Sequence, residues 1–282
     1  MLENRKSGIL LHISSLPSKH GIGDLGEQAY NFIDKLEQMG QVYWQILPTN
    51  EPNDSNSPYD TSSAFAQNPM FISLDLLLVD GLLDNSDIDH TIDLNSPKID
   101  FNRLKKWKLP LLTKAAITFQ KKFKHKQNDD FKIFCEKNKY WLNSYAAYKV
   151  LKEKNNDLPW FEWDNDLKCF NGNAIERVLQ YEVEELEIIK IIQYFFNKQW
   201  HSLKNYVNEK NISLIGDLPI YISYDSADVW ANQQLFKLDD DGNMMVKSGC
   251  PPDYFMEEGQ VWGHPIYNWQ KHKEDNYSWW IS

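Results

Sequence analysis

Apolar positions along this chain repeat with two periods, and the switch between them marks out its elements. Residues 8–13 (Gly-Ile-Leu-Leu-His-Ile) and 42–47, the latter ended by Pro48, form short continuous apolar runs that read as buried strands. Between them Ala29, Phe32, Ile33, Leu36 and Met39 recur at helical spacing over 26–39. Asp24 and Glu27 stand three apart at its start in a capping-box-like arrangement, and Gly40 follows as a stop. Strand, helix and strand in so short a span predict a βαβ unit and therefore a parallel sheet. A polar loop covers 48–70, and 70–79 reads as a further extended segment. From about 85 to 210 the period becomes helical, most clearly over 111–124, 130–152 and 174–208. Strand character returns over 213–223. No internal repeat or low-complexity tract interrupts the pattern, so three consecutive spans are expected: 1–84, 85–210 and 211–282.

Composition narrows the class. Hydrophobic residues at 42% and charged residues at 25% fit a folded globular chain and exclude a disordered or fibrous one. A formal net charge of −10 has the wrong sign for binding a phosphate backbone, so no nucleic-acid partner is expected. Cys135, Cys169 and Cys250 are far apart and form no C-x-x-C pair, which argues against a disulfide framework or a cysteine zinc site and fits a reducing cytoplasm. The seven histidines show no metal spacing, and no nucleophile elbow is present; neither a metal nor a cofactor is expected. No run approaches the roughly 18 apolar residues of a membrane helix. Arg5 and Lys6 precede 8–13, but that stretch contains His12 and is too short for a signal sequence. The unusual quantity is the aromatic content, 14% with 11 Trp. Most rings serve a core, yet Tyr59, Tyr254, Phe255 and Trp262 lie among Ser, Asp, Gly and Pro, where a ring is better placed to stack on the C–H face of a pyranose.

Three features carry candidate chemistry. Gly21-Ile-Gly-Asp-Leu-Gly26 matches G-x-G-x-x-G between a strand and a helix, the dinucleotide-binding context. Seven residues separate Ile13 from Gly21, too many for the tight first turn, and 42–47 is followed by Pro-Thr-Asn instead of an acid for a ribose hydroxyl, so that function is set aside. Asp217 stands in an apolar stretch between Ile215 and Leu218-Pro-Ile220, where an ionised carboxylate needs a partner. Either it forms a structural salt bridge, or it is an acid at the carboxyl end of a parallel strand, where α/β barrels build their sites; the second is preferred. Asp253-Tyr-Phe255 through Trp262, after Gly249-Cys-Pro-Pro and with Gly259 and Gly263 as pivots, has the make-up of a substrate lid; the plainer alternative, a surface loop, leaves the rings unexplained.

Several stretches resemble the 4-α-glucanotransferase (amylomaltase, or disproportionating enzyme) family of α-amylase relatives: residues 8–18 (Gly-Ile-Leu-Leu-His-Ile-Ser-Ser-Leu-Pro-Ser), 21–26, Tyr43-Trp-Gln-Ile-Leu-Pro48, Asn56-Ser-Pro-Tyr59, Ser63-Ala-Phe-Ala66 with Asn68-Pro69, and Phe134-Cys-Glu with Tyr140-Trp-Leu142. Farther on come Ile215-Gly-Asp-Leu-Pro-Ile220, Asp225-Ser-Ala-Asp-Val-Trp230 and Gly249-x-Pro-Pro-Asp-Tyr-Phe255 with Gly259-Gln-x-Trp-Gly263. They run in family order over nearly the whole chain.

The resemblance implies an α/β fold of the (β/α)8 barrel type, incomplete here with about its first three strands, and a mostly helical insertion between strands 2 and 3. It implies transfer of an α-1,4-glucan segment to a glucose or maltodextrin acceptor, with retention and a covalent glucosyl-enzyme intermediate. By motif, Ser57 and Tyr59 would line the glucan cleft and Asp217 would contact the sugar at the cleavage point. Asp253, Tyr254, Phe255, Gln260 and Trp262 would form the loop over the cleft. His264 departs from the family, which usually has Asn after Trp-Gly. Retaining chemistry needs two carboxyl groups about 5–5.5 Å apart. The family's nucleophile stretch, Arg-x-Asp-His-Phe-Arg-Gly, is not in this sequence, nor are the motifs of its acid/base Glu and stabilising Asp. Asp217 with Glu257 or Glu258 is a poor substitute. No catalytic residue is therefore assigned within the chain, which is expected to be an N-terminal portion, inactive alone, with α-1,4-glucans and the remainder of the barrel as partners. The rivals are a glucan-binding or partner-dependent fragment and a hydrolase of the α-amylase superfamily.

Overall fold

The computed structural model describes residues 5–88, 98–123 and 128–282. The chain folds into two compact units, each assembled from stretches that alternate along the sequence.

The first unit comprises Met1–Thr49, Gln67–Lys137 and Ile188–Leu218. At its centre β1 (Gly8–Leu10), β2 (Tyr43–Gln45) and β3 (Ser213–Ile215) form a parallel sheet in the order β1-β2-β3, with Gly8 opposite Tyr43 and Tyr43 opposite Ser213. The parallel βαβ expectation holds, but the strands are shorter than the apolar runs. After β1 the chain tightens into a 3-10 turn, Ile13–Ser15, and after β3 the Gly-Asp-Leu-Pro stretch leaves the ladder, Pro219 having no N–H to give it.

The helix Glu27–Gln38 runs as its spacing predicts and ends before Gly40, whose φ is +68°. Its start differs from the capping-box expectation: Gly26 is the cap, and Asp24 Oδ1 instead accepts the Gly26 N–H at 2.8 Å. Residues 70–79 are helical, not extended. Asn68 caps a 3-10 turn at Pro69–Phe71 and the helix Leu74–Val79 follows, burying Leu74 and Leu77 one turn apart. The first of the three clear helical stretches starts ten residues before 111, as the helix Phe101–Phe123; residue 124 lies outside the described residues. The remaining stretches each divide in two, giving Asp129–Lys137 with Lys139–Lys154, and Gly172–Tyr181 with Val183–Glu209.

Trp44 is fully buried in the first unit, as are Ile13, Leu25, Ile33 and Leu36; its ring meets Phe32 at 5.2 Å and its indole N–H donates to Leu11 O at 2.8 Å. Two buried glutamines brace main chain outside the three-stranded sheet. Gln193 bonds both ways to the main chain of Gln67, and Gln199 does the same at Ser73. The glycine triplet also has a packing role. A Cβ on Gly23 would sit 2.0 Å from Ile13 O, so only glycine lets this loop close on the turn after β1.

The second unit comprises Asn50–Ala66, Asn138–Glu187 and Pro219–Ser282. Its core is aromatic: Trp230 is fully buried against Phe170, Trp163 and Tyr148, with ring centroids 4.7, 5.4 and 6.0 Å away. This unit carries an antiparallel hairpin, β4 (Lys247–Cys250) and β5 (Gln260–Pro265). Among the described residues no helix is long and apolar enough to cross a membrane.

Candidate functional site

Three of the four rings singled out in the sequence, Tyr254, Phe255 and Trp262, gather on the second unit's hairpin. Gly249 pairs with Val261 and Cys250 with Gln260, so residues 251–259 project as a loop from the end of the ladder. Two adjacent prolines follow β4 and break the ladder there. Asp253 shapes the tip: its Oδ1 accepts the N–H groups of Phe255 at 2.9 Å and Met256 at 2.8 Å. Gly259 closes it with φ +72°, in a place where a Cβ would meet Cys250 O at 2.7 Å.

Held this way, Tyr254 and Phe255 stand 95% and 84% exposed, edge to face at 5.5 Å. Solvating two rings so fully costs free energy that an ordinary loop would avoid. Trp262 is half-exposed; its indole N–H donates to Gln260 Oε1 at 3.1 Å and its ring lies 6.1 Å from Tyr221. Glu257 and Glu258 are both exposed beside the tip.

A second loop of the same unit carries Ser57 and Tyr59. A bridge between Pro52 and Thr61 pinches its base. The Asp60 carboxylate ties the inside together, accepting from Asn53 at 3.1 Å and Ser55 at 2.8 Å, while Ser57 Oγ accepts the Tyr59 N–H at 3.3 Å. Tyr59 is consequently presented outward on a braced loop.

Asp217 belongs to the first unit, two residues past β3. It is exposed, not embedded in an apolar strand as its flanks suggested, because β3 ends at Ile215 before the apolar neighbours can enclose it. Its Oδ1 accepts the Leu218 N–H at 2.7 Å. The position at the carboxyl end of a parallel strand is retained. His12, two residues past β1 at the corresponding end, was not singled out from sequence. Burial pushes its imidazole down to about 4, so it is neutral at physiological pH, and its ring meets Phe71 edge-on at 5.3 Å.

Sequence reasoning also missed Asp228, which it used only as part of a motif. This carboxylate is buried beside a small hollow lined by Phe65, Tyr140, Trp141 and Trp279. Burial raises its pKa, opposed by hydrogen bonds from the Ala64 N–H at 2.9 Å and the Trp279 indole at 3.2 Å. The available signal was an acid inside the apolar run Ala227-Asp-Val-Trp-Ala231. Among the described residues no group of three or more His, Cys, Asp or Glu could hold a metal ion.

A family model described as 4-alpha-glucanotransferase matches residues 11–282. The chain belongs to the 4-alpha-glucanotransferase family. It is 42% identical over 283 residues to a 4-alpha-glucanotransferase of Streptococcus pneumoniae, covering 99% of this chain and 55% of that relative. It is 43% identical to the Clostridium butyricum protein of the same name, covering 96% of this chain and 55% of the relative. Among solved structures, an amylomaltase from Streptococcus agalactiae in complex with acarbose superposes with a TM-score of 0.92 at 38% identity, over 99% of this chain and 56% of that one. The chain thus spans about half the length of these 4-alpha-glucanotransferases, and it shares their α/β fold with a parallel sheet.

Proposed function

We propose that this chain supplies the glucan-holding part of a cytoplasmic 4-α-glucanotransferase that moves an α-1,4-glucan segment from donor to acceptor with retention. The observation that carries this is the outward pair Tyr254 and Phe255 on a braced hairpin, in the same unit as the Ser57–Tyr59 loop. Rings displayed this way suit the apolar faces of successive glucose units. The membership of the family and the likeness to an amylomaltase solved with acarbose support the same substrate class.

In this proposal β1, β2 and β3 are the first three strands of a (β/α)8 barrel and the 85–210 helices are its insertion. Ser57 and Tyr59 line the cleft, and Asp217 touches the sugar at the bond to be broken. Asp253, Tyr254, Phe255, Gln260 and Trp262 close over it. The nucleophile and the acid/base are not among these 282 residues, so the chain needs the rest of the barrel as partner to turn over. No cofactor or metal takes part, and neither nucleic acid nor membrane is a partner. Glu257 and Glu258, both exposed at the hairpin tip, give no support to a retaining pair with Asp217.

Incubation of the purified chain with maltotriose tests this. Unchanged maltotriose, together with calorimetric binding of maltoheptaose, is the expected pair of results. Glucose appearing with longer maltodextrins would overturn the absence of the catalytic carboxylates; glucose and maltose without longer products would favour a hydrolase. Failure to bind maltoheptaose would remove the glucan-holding role.

A further inference from the structure

His264 stands where the family resemblance leads to an Asn after Trp-Gly, and its surroundings give that departure a consequence. Its backbone N–H and its ring Nδ1 both meet the hydroxyl of buried Ser248 across the ladder, each at 3.2 Å. Its ring stacks on Tyr221 with centroids 5.9 Å apart and planes 20° apart. Tyr221 in turn contacts Trp262 at 6.1 Å. The charge acting on the imidazole from outside the hairpin is Asp60, on the loop that carries Ser57 and Tyr59; burial pulls the histidine below its ordinary range and Asp60 pulls it up.

We propose that His264 is a positioning residue, which sets through Tyr221 how Trp262 is presented to a glucan, and whose gain or loss of a ring proton changes that presentation. The ligand named here rests on the glucan-holding function proposed above; the coupling of His264 to Trp262 rests on the hairpin alone. In the neutral ring a bare Nδ1 accepts the Ser248 hydroxyl proton. On protonation Nδ1 becomes a donor, the Ser248 hydrogen must turn away, and the Ser248 oxygen receives both the ring and the backbone N–H. The imidazolium is then drawn toward the Asp60 carboxylate and gains a cation–π contact with Tyr221. An asparagine at this position could do neither, since its amide does not change charge.

The test is a pH titration of the 15N-labelled 282-residue chain by NMR, following the His264 ring and the Trp262 indole N–H, the latter assigned with a Trp262→Phe control. The indole resonance should move with the midpoint of His264. That movement should be lost in His264→Asn, and the midpoint should fall in Asp60→Asn. In calorimetry, maltoheptaose should bind about threefold more tightly to the imidazolium form, the scale of one half-exposed cation–π contact. This dependence should be flat in His264→Asn. An indole resonance indifferent to the His264 titration overturns the proposal, and the native chain alone decides this if a variant does not fold. Coupled resonances without maltoheptaose binding at any pH would support the positioning role and overturn the glucan as its ligand.

Discussion

Replacing Lys108 by methionine should remove a gain in stability that the native chain makes between about pH 7 and about pH 10. Lys108 is wholly buried within the helix Phe101–Phe123, and its ammonium donates to Met70 O at 2.7 Å. Burial pulls its pKa from 10.5 to about 8, with the Asp24 and Asp75 carboxylates opposing. That displacement corresponds to about 3 kcal/mol. The folded chain therefore releases the lysine proton at a lower pH than the unfolded chain does. The cost of holding the ammonium is fully present below about pH 8 and fades as pH rises toward the unfolded value. Asp24 acts in the acid range: burial raises its pKa while Lys108 holds it down, so its own contribution is lost as pH climbs through that raised value. Methionine fills similar space without a charge, although it leaves Met70 O without this donor. Urea unfolding of both chains gives the difference directly; taking it cancels the groups that do not feel Lys108, while Asp24 and His20, which do, titrate on the acid side of this window. Native minus variant stability should rise by about 2 kcal/mol between about pH 7 and about pH 10. A difference that stays flat or falls over this window would show that Lys108 is not desolvated in the fold as described.

Truncating Trp230 to alanine removes a fully buried ring and its 2.8 Å bond to Leu167 O; denaturant melts should show a loss of about 3–5 kcal/mol. Tyr254→Ala and Phe255→Ala should leave melting within about 0.5 kcal/mol of native, because neither ring is packed. The same variants should weaken maltoheptaose binding measured by calorimetry by about tenfold, the size of an aromatic contact worth more than 1 kcal/mol. Gly259→Ala places a Cβ 2.7 Å from Cys250 O at a φ of +72° and should cost about 1–3 kcal/mol, seen as faster proteolytic nicking within 251–259.

Local periodicity revealed the parallel βαβ unit because the apolar stripe of Glu27–Gln38 lies between two short, mostly apolar runs, broken only by His12 and Gln45. It failed at 70–79, where Leu74 to Val79 are apolar at every position but Asp75, and a continuous apolar run has no period to read. The decisive signal was the Asn68-Pro69 start ahead of it. Asp217 was misjudged for a related reason. Apolar neighbours in sequence imply burial only while the strand continues, and β3 stops at Ile215. The loop rings were legible because they stand among Ser, Asp, Gly and Pro, outside any apolar period. Asp228, His12 and the Ser248–His264 pair were not, since each is defined by partners brought in from distant sequence, Ala64 and Trp279 to Asp228, Phe71 to His12.

Among the described strands, β1 and β3 each hydrogen-bond to β2 alone, so the sheet presents two raw margins of main-chain donors and acceptors. Ile9, Leu10 and Ile215 on those margins are partly exposed and offer apolar adhesion beside them. What keeps two such molecules apart in dilute buffer is their shared charge of −10. Salt shortens the reach of that repulsion to about 8 Å at physiological strength while leaving hydrogen bonding at the margins intact. Unlike a protein joined by surface ion pairs, this chain should be driven toward association by added electrolyte, and its sedimentation coefficient should rise with both protein concentration and ionic strength.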